Sequence, residues 1–191
     1  MNEHSLQIAL EDYISSTKKN NYKSIVNYLY SGIFKIVPKK EITKQLKNSF
    51  KDDVITNYID TFSIHSMSPI FNIDNYSFSK IKYYLEMKID RHEDVLTKII
   101  KNESINYDEH TKDMKQQIRI MLKLLKSVYG DSHVKYDKEN DEFRIWQLNT
   151  MLAIYEDEQW KFIRWMSGSV YKRIFPEGIV KKLATKFYLT D

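Results

Sequence analysis

Apolar and charged residues alternate with a period of two from Lys80 to Asp90. Ile81, Tyr83, Leu85, Met87 and Ile89 are apolar; Lys80, Lys82, Glu86, Lys88 and Asp90 are charged, and Tyr84 is the aromatic exception. Such a period sends successive side chains to opposite faces, which a helix does not do. The segment is expected to be one long antiparallel strand with a buried face and a wet face. Ahead of it the period is helical. Leu6, Leu10, Tyr13 and Ile14 predict a first helix over about residues 3–19. Tyr22, Ile25, Val26 and Leu29 predict a short second one, ended by Ser31–Gly32. Pro38 opens a third at its first helical position, where a proline φ fits, with Ile42, Leu46 and Phe50 on the core side.

Strands are expected from Asn57 onward, where Phe62 and Ile64 alternate with Thr61, Ser63 and His65. Residues 67–76 read as the connection of a hairpin of two long strands. Residues 91–110 are polar and weakly patterned and read as an excursion with room for one helical turn. Met114, Ile118, Met121, Leu122, Leu125 and Tyr129 mark the clearest helix, with Asp108, Glu109 and Asp113 at its start. Lys123 and Lys126 lie toward its end, and Gly130 is placed as the residue that terminates it. Four short strands follow as a meander: 133–136, 143–148, 151–155 and 160–165. Pro176 starts a last helix with Ile179, Val180, Leu183, Ala184 and Phe187 on one side. The expected fold class is α+β, with N-terminal helices packed on an antiparallel sheet and one C-terminal helix.

The chain has 191 residues, enough for one domain that buries a core without disulfides or metals. It has no cysteine, which excludes thiolate nucleophiles, zinc ribbons and cysteine-ligated clusters. No basic stretch followed by an apolar run opens the sequence, and no apolar run approaches the ~20 residues of a membrane span, so a cytoplasmic protein is expected. The net charge of +4 is uneven. Residues 1–51 hold nine lysines against four acids, and the remainder of the chain sums to one negative charge.

Several side chains are candidates for chemistry. Asp60 and His65 share the first strand on opposite faces, and Asp60 is the candidate general base if an apolar site raised its pKa. His92, Glu93 and Asp94, and again Asp108, Glu109 and His110, are acidic-histidine clusters without the spacing of helical metal ligands; no metal and no other cofactor is expected. Lys40, Lys44, Lys47 and Lys51 are spaced four, three and four, so they form a narrow helical stripe away from Ile42 and Leu46. It would meet an acidic partner, a phosphate backbone or a membrane surface, or else is simply a solvated face of a lysine-rich protein. No aromatic or arginine is interleaved as a nucleic-acid platform requires, so nucleic acid is not expected. Tyr83, Trp146, Tyr155, Trp160, Phe162 and Trp165 either line a ligand cavity or fill the core. Glycine-rich phosphate loops, the Gly-x-Ser-x-Gly elbow around Gly168–Ser169 and His-Glu-x-x-His are all absent from the sequence.

Two segments, Tyr76-Ser-Phe-Ser-Lys-Ile-Lys-Tyr-Tyr-Leu-Glu-Met-Lys88 and Met151-Leu-Ala-Ile-Tyr-Glu-Asp-Glu-Gln-Trp-Lys-Phe-Ile163, give the chain a family resemblance. With helices before them and a charged turn inside the second, they resemble the nuclear transport factor 2-like superfamily, the cystatin-like cone fold. The resemblance covers about residues 3–166 of a single domain at 1–191, with 167–191 as a helical extension. It implies a strongly curved sheet wrapped around helices, with a cavity at the open end. That superfamily includes isomerases, dehydratases, epoxide hydrolases and cyclases, and also binding proteins without catalysis, among which fold does not choose. The first reading is a non-catalytic protein that binds a small apolar ligand, through Tyr83, Leu85, Met87, Trp146 and Phe162, or a protein partner. The second is an isomerase-, dehydratase- or cyclase-type enzyme using a pocket carboxylate. The third is a module that blocks a partner through the Lys40–Lys51 helix. A homodimer formed through the sheet fits the resemblance.

Overall fold

The computed structural model describes residues 2–50, 57–90, 114–165 and 168–189. Six helices are described: α1 (Glu3–Lys18), α2 (Tyr22–Tyr28), α3 (Lys39–Phe50), α4 (Met114–Tyr129), α5 (Gly168–Ile174) and α6 (Glu177–Leu189). The strands are β1 (Asn57–Met67), β2 (Phe71–Ile73), β3 (Tyr76–Asp90), β4 (Val134–Asp137), β5 (Glu142–Glu156) and β6 (Gln159–Arg164). They form one antiparallel sheet in the order β1-β3-β5-β4, with β2 also on β3 and β6 also on β5. The α+β class expected from the patterning is the observed one.

The chain gathers into two compact units. The first holds residues 1–48, 62–84 and 148–191. Its first helix starts at a capping box in which Asn2 takes the Ser5 N–H at 2.8 Å and Ser5 takes the Asn2 N–H at 3.3 Å. Leu6 and Leu10 are buried as α1 packs on α2 and β6. Asn20 turns the chain with φ 53°, a conformation asparagine tolerates. Pro38 is not the first residue of α3 but its cap: its carbonyl accepts the N–H groups of Glu41 at 2.8 Å and Ile42 at 3.1 Å. Pro176 serves α6 in the same way.

The centre of this unit is aromatic. Tyr30 stacks on Phe175 at 4.7 Å, Phe175 on Tyr171 at 5.7 Å, and Tyr171 meets Trp165 at 4.6 Å. The Tyr171 hydroxyl donates to the Arg164 carbonyl at 2.8 Å, so its polar end is satisfied in the core. Tyr171, Ile174, Phe175, Ile179 and Leu183 supply five of the eleven buried residues of this cluster. The region after residue 166 is therefore integral to the unit. It also divides in two, α5 and α6, where the sequence pattern marks only the helix after Pro176.

The second unit holds residues 49–61 and 85–147. One face of α4 lays Met121 and Leu125 on Ile89, Val134, Phe143 and Ile145. Gly130 ends this helix with φ 94°, and its N–H reaches the Lys126 carbonyl at 2.8 Å. The acids expected at the helix start, Asp108, Glu109 and Asp113, lie outside the described residues, as does the excursion at 91–110.

Two expectations about strands change. The segments 143–148 and 151–155 are one strand, β5. Asn149 and Thr150 separate the two expected strands, but they lie where β5 changes partner: β4 pairs with residues 142–145 and β6 with residues 151–156. The connection at 67–76 contains β2, three residues too short to show a period, in register Phe71↔Phe78 to Ile73↔Tyr76.

Candidate functional site

The polar positions of β3 are not a wet face. Lys80 is buried, and Lys82, Glu86 and Lys88 are half-buried; β3 lies between β1 and β5, and Lys88 and Glu86 meet charges on them. Within the second unit these form a ladder. Asp60 on β1 is 3.0 Å from the Lys88 ammonium on β3, and Lys88 is 3.9 Å from Glu142 on β5. Glu142 accepts from Arg144 Nε at 2.8 Å, and Arg144 reaches Asp137 on β4 at 3.1 Å and Glu86 on β3 at 3.7 Å. The hydrogen bond to Asp60 and the neighbouring carboxylates raise the Lys88 pKa. Burial opposes the Arg144 charge, but Glu142, Asp137 and Glu86 outweigh it and raise its pKa. Asp137 is held below the usual carboxylate range by the Asn140 side chain, the Glu139 and Asn140 N–H groups and Arg144. The ladder is built to fix strand register.

Asp60, the candidate base, is exposed at the end of this ladder, and His65 is exposed elsewhere on β1. Neither lines any of the three clefts described below. The five residues expected around an apolar ligand fall in both units. In the first unit Tyr83 stacks on Phe62 at 4.7 Å, Phe62 meets Tyr13 at 6.3 Å, and Tyr13 meets the buried Phe162 at 5.0 Å. The rings thus spend their faces on one another. In the second unit Met87 packs against the α4 core, and Leu85 and Trp146 are half-buried. None of the five lines the three clefts.

The lysine stripe behaves differently. Lys40, Lys44 and Lys47 are exposed on α3, and none makes a hydrogen bond or ion pair with another described residue. Lys51 lies outside the described residues. The neighbouring Lys39 is engaged, donating to Asn27 at 3.1 Å and lying 5.9 Å over the Phe34 ring. Ile42 and Leu46 are half-buried on the opposite side of the helix.

The three clefts are features that sequence reasoning missed. One, of about 540 Å³, lies between α1, α2 and the β5–β6 turn, against Ile8, Asp12, Tyr28, Tyr155, Glu158 and Trp160. Trp160 donates its indole N–H to Ser5 at 3.1 Å and Tyr28 its hydroxyl to Asp12 at 3.2 Å, so the wall is already hydrogen-bonded. Burial, then Asp12, raises the Tyr28 pKa. A second, of about 640 Å³, runs along α4 and is lined by Arg119, Lys123 and Lys126. A small third one, about 370 Å³, sits where Lys182 of α6 pairs with Asp74 of the β2–β3 turn. The signal for the second was present: Lys115, Arg119, Lys123 and Lys126 are spaced four, four and three, with no acid from Met114 to Tyr129. The helix dipole accounts for cations in the last turn only.

Among the described residues no three His, Asp or Glu side chains group as metal ligands. The clusters at His92, Glu93 and Asp94 and at Asp108, Glu109 and His110 lie outside the described residues. No described helix is long and apolar enough to cross a membrane. No protein-family model, curated protein or solved structure matches this chain.

Proposed function

We propose that the chain is a non-catalytic binding protein of the nuclear transport factor 2-like type, which holds the acidic surface of a protein partner with the lysine face of α3. The observation that carries this reading is the state of that face. Three ammonium groups stand on one stripe of a helix, exposed and unpaired among the described residues, while the charges of the second unit's ladder are paired. Like charges held together repel one another, and an acidic surface relieves that repulsion while steering the encounter. Ile42 and Leu46, on the opposite side of the helix, are half-buried.

Against an apolar ligand among Tyr83 and Phe162 stands the filled aromatic packing of the first unit. Against an Asp60 base stands its exposed ion pair with Lys88. The test uses the full chain with a photo-crosslinking side chain at Asn48, expressed in the cells that make it. A discrete adduct with another protein is expected, and it should vanish in the Lys40→Glu/Lys44→Glu/Lys47→Glu variant. No adduct, an adduct indifferent to charge reversal, or an adduct only with a second copy of the chain overturns the proposal.

A further inference from the structure

The α4 cleft has two features that the α3 face lacks, a recessed lining and an arginine. Its cations line a shallow, open groove. Arg119, Lys123 and Lys126 lie within about 60° of one another around the helix and span about 10 Å along it, at 1.5 Å and 100° per residue. None of the three pairs with another described residue. Arg119 also supplies a planar, forked donor, which suits phosphate oxygens.

The lining also limits what the ligand can be. Among the described residues it holds no aromatic ring, so none of them offers a platform on which a nucleobase would stack. Leu122 is its apolar wall. The Ser127 hydroxyl donates to the Leu124 carbonyl at 2.7 Å, so its proton is committed within the helix. Donation from side chains therefore falls to the three cations. A short chain of linked phosphates can meet all three cations along the stripe, whereas one phosphate group requires the side chains at its two ends to converge. Asp131, the one carboxylate among the described lining residues, opposes the ligand at one side.

We propose that the α4 cleft is a binding site for a phosphoanhydride chain, the di- or triphosphate portion of a small soluble molecule. The site is separate from the α3 face, and neither proposal depends on the other.

The experiment is calorimetry of the full chain with sodium tripolyphosphate, with orthophosphate, and with vesicles containing phosphatidylinositol bisphosphate, at near-physiological salt. Saturable one-to-one binding of tripolyphosphate is expected, at or below about 1 mM. Orthophosphate should bind at least about tenfold more weakly, because it loses charge-assisted bonds to one or more cations. Arg119→Gln and Lys123→Gln should each weaken tripolyphosphate about tenfold. Asp131→Asn should tighten it severalfold. Lys115→Gln, on the same stripe but outside the lining, should leave it within about twofold. Equal binding of orthophosphate overturns the proposal, as does an equal loss with Lys115→Gln, since that would be generic charge attraction. Binding to vesicles without binding to tripolyphosphate overturns it in favour of a lipid surface. If a variant fails to fold, amide shifts of the unsubstituted chain on titration with tripolyphosphate decide instead. Shifts that miss residues 119–131 overturn the proposal.

Discussion

Gly32 sits where a side chain has no room. A Cβ built there lies 2.3 Å from Tyr30 Cε1 and 2.9 Å from the Ile174 carbonyl. Tyr30 cannot yield cheaply, because its ring is buried and stacked on Phe175. Gly32→Ala should lower stability by about 1–3 kcal/mol, read as a lower urea midpoint at an unchanged slope. An unchanged midpoint would show that the aromatic stack is loose. Glu158 poses the opposite case. It and Asp157 form the two-residue turn between Glu156 and Gln159, with φ of 61° and 48°. Such turns favour glycine at the second position, because a Cβ is disfavoured at positive φ. Glu158→Gly should therefore raise the melting temperature, by roughly 0.5–1 kcal/mol of added stability. A fall would mean that the carboxylate is retained for a contact worth more than that strain. The sequence marks Gly32 only as the end of a helix. The crowding comes from the Tyr30 ring, which Phe175 holds in place, and from the Ile174 carbonyl, so it depends on residues far along the chain that no local pattern reveals.

At the scale of elements, the ladder across β1, β3, β5 and β4 makes stability depend on pH in a definite direction. The pKa of Asp137 is lowered in the fold, so its contribution is present above the unfolded carboxylate range and is lost as pH falls through the depressed value. The pKa of Lys88 is raised, so its contribution is present below the unfolded lysine value and is lost as pH rises through the raised one. Chemical denaturation across pH should show an acid loss that Asp137→Asn flattens and Asp60→Asn does not abolish. An acid limb unchanged in Asp137→Asn would remove Asp137 from the account. The alternation from Lys80 to Asp90 was legible because a strand's period is local. That its charged face is covered was not legible, since burial of Lys88 and Glu86 depends on β1 and β5 supplying Asp60 and Arg144.

For the molecule as a whole, the C-terminal helices decide whether the first unit has a core. Leu183 is fully buried, and Tyr171, Ile174 and Phe175 are nearly so. Leu183→Ala should cost about 2–5 kcal/mol, and a chain truncated after residue 167 should lose cooperative unfolding, seen by circular dichroism during a thermal ramp. A truncated chain that melts sharply at the full-length temperature would show that the aromatic cluster around Tyr30 holds without them. The distribution of basic charge also belongs to this scale. Excess lysine in residues 1–51 was evident from composition, whereas the acid-free α4 was masked by the carboxylates on either side of it.

Local periods and local chemistry account for part of the fold. The α+β class, the helices α1 to α4, the long strand β3 and the lysine stripe at Lys40, Lys44 and Lys47 all follow from spacing within a few turns or strand residues. Tertiary structure decided everything that requires a partner distant in the chain. It joined two predicted strands into β5 by giving its halves different neighbours, β4 and β6. It turned the wet face of β3 into a charge ladder, closed the aromatic faces of Tyr83 and Phe162 against Phe62 and Tyr13, and opened a cleft beside Arg119, Lys123 and Lys126. A side chain's chemistry is written in the sequence; whether that side chain is paired, packed or free is set by what long-range folding brings against it.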